Sequence, residues 1–169
     1  MEYSEAWIKA ASIIQMCSAD AELLFEYAKD KKHIVEIGTL KGGSAIILGA
    51  TGNTVYTIDN LSSDNSNKQD AIEVLREFRK VHVITADSAE TGKLWKRKVD
   101  MLFVDGDHAY ESVRKDIDAW IDKLVLKGIM AFDDYESWPG VTQAVDESIA
   151  RGELKKITQA RSLIITEKL

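Results

Sequence analysis

The chain has one cysteine, one proline and no long apolar run, and each scarcity removes a class of protein. Cys17 alone cannot close an internal disulfide, so nothing points to an oxidising compartment. Its apolar surroundings suggest a small core residue. No stretch approaches the roughly 18 apolar residues that span a bilayer. The opening Met1-Glu2-Tyr3-Ser4-Glu5 is acidic where a signal peptide would be basic. A cytoplasmic protein with no membrane partner is expected. Positive charge is also short, with 22 Lys+Arg against 28 Asp+Glu and a net charge of −6. Affinity for a phosphate backbone comes from clustered Lys and Arg, so no nucleic-acid partner is expected. The basic runs Lys29-Asp30-Lys31-Lys32 and Lys93–Lys98 are brief and read as solvated loops. Linkers, repeats and low-complexity tracts are absent too, which predicts one domain over residues 1–169, with a helical segment at 1–30 and a core at 31–169.

What is present is a series of short β-branched segments, each ending in a polar or glycine residue and each followed by helical spacing. The expected strands are His33–Gly38, Thr54–Asp59, Val81–Asp87, Asp100–Asp105 and Gly128–Asp133. Between them Ser44–Ala50, Gln69–Arg79, Ala89–Lys96 and Tyr110–Leu124 read as helices. The last carries Val113, Ile117, Trp120, Ile121 and Leu124 on one apolar stripe. Strand alternating with helix predicts an α/β protein with a parallel sheet covered on both faces. A helix at Val141–Ala150 follows, then strands at Leu154–Thr158 and Ser162–Glu167 around a turn tight enough to force an antiparallel pair. The expected fold is a Rossmann-like, doubly wound, seven-stranded sheet, mostly parallel with one antiparallel strand near the C-terminus. Glu5–Lys29 reads as one or two helices ahead of it.

In an open parallel sheet the ligand site lies outside the carboxyl ends of the strands. Here those ends are acidic: Glu36 near the first, then Asp59, Asp87, Asp105 and Asp133-Asp134. Structure alone needs no carboxylate at any of them. The first turn, Gly38-Thr39-Leu40-Lys41-Gly42-Gly43-Ser44, supplies glycines that let backbone approach a ligand. Leu40 stands where a dinucleotide-binding loop has its second glycine, which disfavours a pyrophosphate. Asp59 falls about 20 residues after Gly38, where a carboxylate can accept hydrogen bonds from ribose hydroxyls. Asp87-Ser88 is placed for an adenine amino group.

Taken with Phe103-Val104-Asp105-Gly106-Asp107-His108-Ala109-Tyr110 and the later Gly128-x-x-Ala131-Phe132-Asp133-Asp134-Tyr135, these residues resemble the class I S-adenosylmethionine-dependent methyltransferases. The likeness is nearest to a metal-dependent, small-molecule O-methyltransferase branch that includes macrocin-type sugar methyltransferases and cephalosporin-hydroxylase-like proteins. It covers about residues 20 to 169. The resemblance implies that Gly38, Thr39, Gly43 and Ser44 line the methionine portion of S-adenosylmethionine. Asp59, with the adjoining Asn60, would hold the ribose, and Asp87 with Ser88 the adenine. Glu36 would hydrogen-bond near the cofactor's amino group or to the loop backbone. Asp105 also counts among the cofactor residues that the resemblance implies. The sulfonium is cationic and carries no phosphate, consistent with an acidic rim and with Leu40.

Acids ending adjacent strands about 4.8 Å apart can share one cation. Asp105, Asp133 and Asp134 are therefore the expected metal ligands, and all-oxygen ligation suits Mg²⁺. His108, three residues after Asp105, is the candidate catalytic base, with metal-site support or helix capping as alternatives. His33 and His82 read as structural. Asp107 is either a ligand or a helix cap. Tyr135 and Trp138 either wall the acceptor or merely turn the chain into the next helix. The polar stretch Asn60–Lys68 reads equally as a substrate lid or a plain loop. The expected partner is a small hydroxylated acceptor, a sugar or an aromatic diol. A homo-oligomer is possible, since 169 residues leave little room for a cap domain. A metal-independent methyltransferase, a non-catalytic cofactor-binding module and a nicotinamide dehydrogenase remain as alternatives.

Overall fold

Buried β-branched segments need a partner on both faces, and the computed structural model, which describes residues 1–60 and 65–169, shows how they find it. The order is α1 (Tyr3–Ala10), α2 (Ser18–Ala28), β1 (His33–Ile37), α3 (Gly43–Ala50), β2 (Thr54–Asp59), α4 (Asn65–Val74), β3 (Val81–Thr85) and α5 (Ser88–Leu94). Then come β4 (Val99–Val104), α6 (Tyr110–Trp120), β5 (Leu124–Phe132), α7 (Pro139–Ala150), β6 (Leu154–Gln159) and β7 (Ile164–Lys168). The strands form one sheet in the order β3-β2-β1-β4-β5-β7-β6. β7 runs antiparallel to both neighbours and the other pairings are parallel, as expected. Helices α1 and α2 occupy the N-terminal segment. Among the described residues no helix is long and apolar enough to cross a membrane.

Successive strand residues point to opposite faces, so the core divides in two. Ile34, Met101 and Phe103 pack with Leu24 and Ile47 under α2 and α3. Val35, Leu102 and Val104 pack with Ile117, Trp120 and Phe132 under α6 and α7. The sheet order reverses between β1 and β4, and the crevice at such a switch point is where ligands bind in this architecture.

Several boundaries differ from expectation. The helix predicted to reach Leu124 stops at Trp120, and Leu124 opens β5. Leu124 packs in the same cluster as the stripe that suggested a longer helix, so its apolar character served a strand instead. Within β5, Lys127 takes φ 60°, and the register against β4 shifts between Val99 and Met101. α4 begins at Asn65 rather than Gln69 and ends at Val74, so the stretch Asn60–Lys68, read as a lid or a plain loop, is partly helical, and its residues 61–64 lie outside the described residues. α7 starts at Pro139, whose fixed φ and missing N–H suit a first helical turn. Cys17 corrects the reading of a core residue: it is exposed, and its Sγ–H donates to Asp20 Oδ2 at 3.2 Å.

Candidate active site

The β1 to α3 loop is built by three glycines and one carboxylate. Gly38 has φ 94°, and a Cβ there would lie 1.9 Å from the Asp105 carbonyl oxygen, so the loop passes against β4 as only glycine allows. Asp59 at the end of β2 holds the loop from the other side, Oδ2 accepting the Thr39 N–H at 2.9 Å and the Leu40 N–H at 3.0 Å. The Thr39 and Thr57 hydroxyls share a hydrogen bond of 2.6 Å beneath it. A Cβ on Gly43 would lie 2.5 Å from Ile14 Cα, so the connection between α1 and α2 roofs the start of α3. The acid expected to meet ribose therefore also shapes the loop.

Glu36 lies inside β1 beneath this loop, fully buried, and neither carboxylate oxygen has a hydrogen-bond partner. Burial pushes its carboxyl up to about 7, the nearby Ser44 and Thr57 hydroxyls offset part of that, and the charge of Asp59 adds to it. Glu36 does not line the cleft.

At the end of β3, Asp87 caps α5, its Oδ1 accepting the Glu90 N–H at 2.8 Å. Ser88 Oγ donates to Asp116 Oδ1 at 2.5 Å, and Trp120 Nε1 donates to the Ser88 carbonyl at 3.0 Å. Asp116 is a site residue that sequence reading missed. It lies on the buried stripe of α6 with Val113, Ile117 and Trp120, and a carboxylate on an apolar stripe was the available signal. Burial pushes it up to about 6, and the charges of Asp87 and Asp107 add to the rise against the Ser88 hydrogen bond.

The other side of the site is gathered from β4, β5 and the turns that follow. Among the described residues, Asp105, His108 and Asp134 can each place one ligand atom within 4.8 Å of the others. His108 Nε2 lies 2.8 Å from Asp134 Oδ2, and its ring stacks on Trp138 at 4.6 Å and 18°. A Cβ on Gly140 would meet the His108 carbonyl oxygen at 2.4 Å, so α7 packs directly on the turn that carries the histidine. Asp107 secures that turn by accepting the Ala109 N–H at 3.2 Å and the Ser112 hydroxyl at 2.6 Å. These hydrogen bonds, Ser112 foremost, hold its carboxyl below the usual range.

Two features differ from the expected acidic trio. Asp134 takes φ 60°, a costly conformation for a non-glycine residue that aims it at His108. Asp133 stands outside the tight cluster, its Oδ1 accepting the Ser162 hydroxyl at 3.0 Å and the Asp134 N–H at 2.9 Å. It still lines the cleft, and its charge is the largest electrostatic influence on Asp105. Burial and the surrounding charges of Asp133, Glu36 and Asp134 raise the Asp105 carboxyl well above the ordinary range. Tyr135 corrects the idea of a two-residue aromatic wall. It is buried in the core, its hydroxyl donating to Asp146 Oδ1 at 2.8 Å, and only Trp138 lines the cleft.

Every site residue expected from the sequence except Glu36 borders one cleft of about 680 Å³, where Ile13, Ile14 and Gln15 supply a wall that no motif announced. His33 and His82 lie away from it, His82 stacking on Tyr56 at 5.1 Å.

The upward shifts of Glu36 and Asp116 carry a sign. Each carboxyl holds its proton more tightly in the folded chain than in the unfolded one, so the contribution to stability is complete below about pH 4 and is lost as pH rises through about 6 to 7. The metal-free protein is expected to melt at a lower temperature at pH 8 than at pH 5.5, and Asp116→Asn to flatten the curve. Thermal melts across that range check this, and a melting temperature that rises with pH would contradict it.

Comparison with known proteins bears on the family and the fold. A family profile described as a methyltransferase domain matches residues 35–135. An uncharacterized protein of Sinorhizobium fredii is 27% identical over 130 residues, 65% of this chain and 14% of that protein. One from Acanthamoeba polyphaga mimivirus is 27% identical over 137 residues, 73% of this chain and 62% of its own. The chain thus spans less than two thirds of either relative. Among solved structures, a Staphylococcus aureus protein with the provisional name caffeoyl-CoA O-methyltransferase has a TM-score of 0.80 at 17% identity, covering 100% of this chain and 93% of its own. An O-methyltransferase from Bacillus cereus in complex with SAH has a TM-score of 0.73 at 16% identity, covering 99% and 90%. The tomaymycin-synthesis O-methyltransferase TomG of Streptomyces achromogenes, in complex with SAM, scores 0.74 at 15% identity, covering 98% and 88%. With a profile match running from β1 past β5, the chain belongs to the methyltransferase-domain family, and it shares the fold of these O-methyltransferases.

Proposed function

We propose that the protein moves the methyl group of S-adenosylmethionine to a hydroxyl of a small acceptor, with a divalent cation, Mg²⁺ by preference, at the acceptor end. The observation that carries this reading is one cleft bordered on one side by the glycine loop, Asp59 and Asp87-Ser88, and on the other by Asp105, His108 and Asp134. A simple cofactor-binding module has no use for the second group.

In this reading Gly38, Thr39, Gly43 and Ser44 receive the methionine portion, Asp59 and Asn60 the ribose, and Asp87 with Ser88 the adenine. Glu36 acts from below by supporting the loop. Carboxylate and imidazole donors fit a divalent cation, with Asp105, Asp133 and Asp134 as its holders and His108 beside them. Such an ion would supply a positive charge that lowers the pKa of the acceptor hydroxyl. His108 takes that hydroxyl's proton at an imidazole nitrogen, and Asp134 stabilises the charge the ring acquires. Trp138 and the Ile13-Ile14 wall orient the acceptor and exclude water, so that its oxygen meets the methyl carbon in line. A TDP-rhamnose 3'-O-methyltransferase of calicheamicin biosynthesis shares the fold, with a TM-score of 0.71 at 16% identity, which supports keeping sugars beside aromatic diols as acceptors.

The test is a screen of hydroxylated acceptors with methyl-labelled cofactor, run with Mg²⁺ and with excess chelator. Label transfer that stops with chelator and returns with Mg²⁺ is expected. Full turnover in chelator would remove the metal from the mechanism. Calorimetry should show binding of S-adenosylmethionine and none of NAD, since Leu40 occupies the place where a pyrophosphate approaches the main chain.

A further inference from the structure

Asp20 is 1% exposed, on the buried stripe of α2, and absent from the cleft lining. Its carboxylate reaches across to the β6 to β7 turn. Oδ1 accepts the Arg161 N–H at 2.8 Å, and Oδ2 accepts the Ser162 N–H at 3.3 Å and the Cys17 thiol at 3.2 Å. The Ser162 carbonyl accepts the Tyr135 N–H at 2.9 Å, which ties the same residue to the loop after β5. The Ser162 hydroxyl lies between two carboxylates, 3.2 Å from Asp20 Oδ2 and 3.0 Å from Asp133 Oδ1.

A serine hydroxyl has one proton to donate. Asp20 already has three other donors, whereas the cleft-lining Asp133 has one besides Ser162, the Asp134 N–H on the same Oδ1. The proton therefore serves Asp133. With both donors on Oδ1, the carboxylate cannot rotate freely, and Oδ2 is the oxygen left to meet a ligand in the cleft. We infer that Ser162, itself held in place by Asp20 of α2, is a positioning residue that fixes the Asp133 carboxylate so that Oδ2 serves the divalent cation of the proposed active site. This rests on the metal reading above. It also makes the N-terminal helix α2 part of the acceptor-side machinery without touching the cleft.

The chain itself makes the roles separable. Ser162→Ala removes the hydroxyl but leaves both backbone N–H bonds to Asp20 and the Tyr135 bond to its carbonyl. Mn²⁺ alone is the probe, its free signal followed by electron paramagnetic resonance during titration of the full chain, alongside thermal melts. Wild type is expected to bind Mn²⁺, Asp133→Asn to bind it far more weakly, and S162A to bind it about tenfold more weakly, within the range seen when a group behind a metal ligand is removed. Ser162→Thr, which keeps the hydroxyl, should restore wild-type affinity, a recovery that a purely structural serine would not show in Mn²⁺ binding. If S162A binds Mn²⁺ as wild type does while D133N does not, the positioning role is overturned and the metal reading stands. If D133N binds as tightly as wild type, Asp133 holds no ion and this inference falls while the metal reading stands on Asp105, His108 and Asp134; if wild type binds none, the metal reading falls and this inference with it. Should S162A fail to fold, Asp20→Asn carries the test, because it loosens the turn yet keeps the hydroxyl: weakened Mn²⁺ binding supports the inference and unchanged binding overturns it.

Discussion

Gly38→Ala is expected to abolish cofactor binding and to destabilise the chain by about 2–6 kcal/mol, from a strained positive φ of about 1–3 kcal/mol and an overpacking cost of similar size. The added Cβ would lie 1.9 Å from the Asp105 carbonyl oxygen and 2.6 Å from its carbon, and both belong to backbone that cannot swing aside like a side-chain tip. Asp105 N–H donates to the Ile37 carbonyl at 2.8 Å, so any retreat of β4 breaks the contact that brings the two strand ends together. The damage thus reaches both halves of the cleft at once. Gly52→Ala is the control. Its φ of 78° is also positive, but nothing lies within 4 Å of the added carbon, so only the conformational cost remains, about 1 kcal/mol. Thermal melts should separate the two variants by several degrees, and calorimetry with S-adenosylhomocysteine should show binding in G52A alone. A G38A protein that binds as wild type would contradict the account of the loop.

His108→Gln is expected to lower kcat/KM by about 10² to 10⁴, the usual worth of a positioned general base, while leaving cofactor affinity within about twofold. The reason lies in where the histidine is held. It is paired at 2.8 Å with Asp134, stacked on Trp138, and carried on a turn clamped by Asp107 and Gly140, whereas the groups around the proposed adenine and ribose positions belong to other strands. The two remaining roles for His108 predict different companions to the loss. If it were a metal ligand, Mn²⁺ affinity would fall together with activity. If it only shaped the start of α6, the melting temperature would fall and the rate would not. Turnover at the wild-type rate in H108Q would remove it from the chemistry.

Much of this arrangement was legible in one dimension because it depends on residues that follow strands. Asp59, Asp105 and Asp133 announce themselves as polar residues ending β-branched runs, and the parallel sheet then fixes that they share an edge. The tight turn before β7 likewise forces an antiparallel pair whatever the rest of the chain does. Helix ends were less legible. Leu124 fits a helical stripe and a strand equally well, and only packing beneath the sheet decided between them. Asp116 was missed although it lies on the apolar stripe of α6. Asp20 and Ser162 look like ordinary surface residues until their elements have a partner, and Asp20 meets Ser162 only because α2 docks beside a turn about 140 residues away in the chain.

Sequence alone determined the class of fold, the sheet edge at which the acids gather and the chemical character of that edge, because strand period, turn length and residue type are local properties. Tertiary structure decided which acids act together. It drew His108 rather than Asp133 into the cluster with Asp105 and Asp134, turned Tyr135 into the core, buried Glu36 beneath the glycine loop and tied Asp133 to Ser162. Those outcomes depend on side-chain direction, on backbone strain at Asp134 and on hydrogen-bond donors arriving from distant elements, none of which has a period or spacing that a linear chain can display.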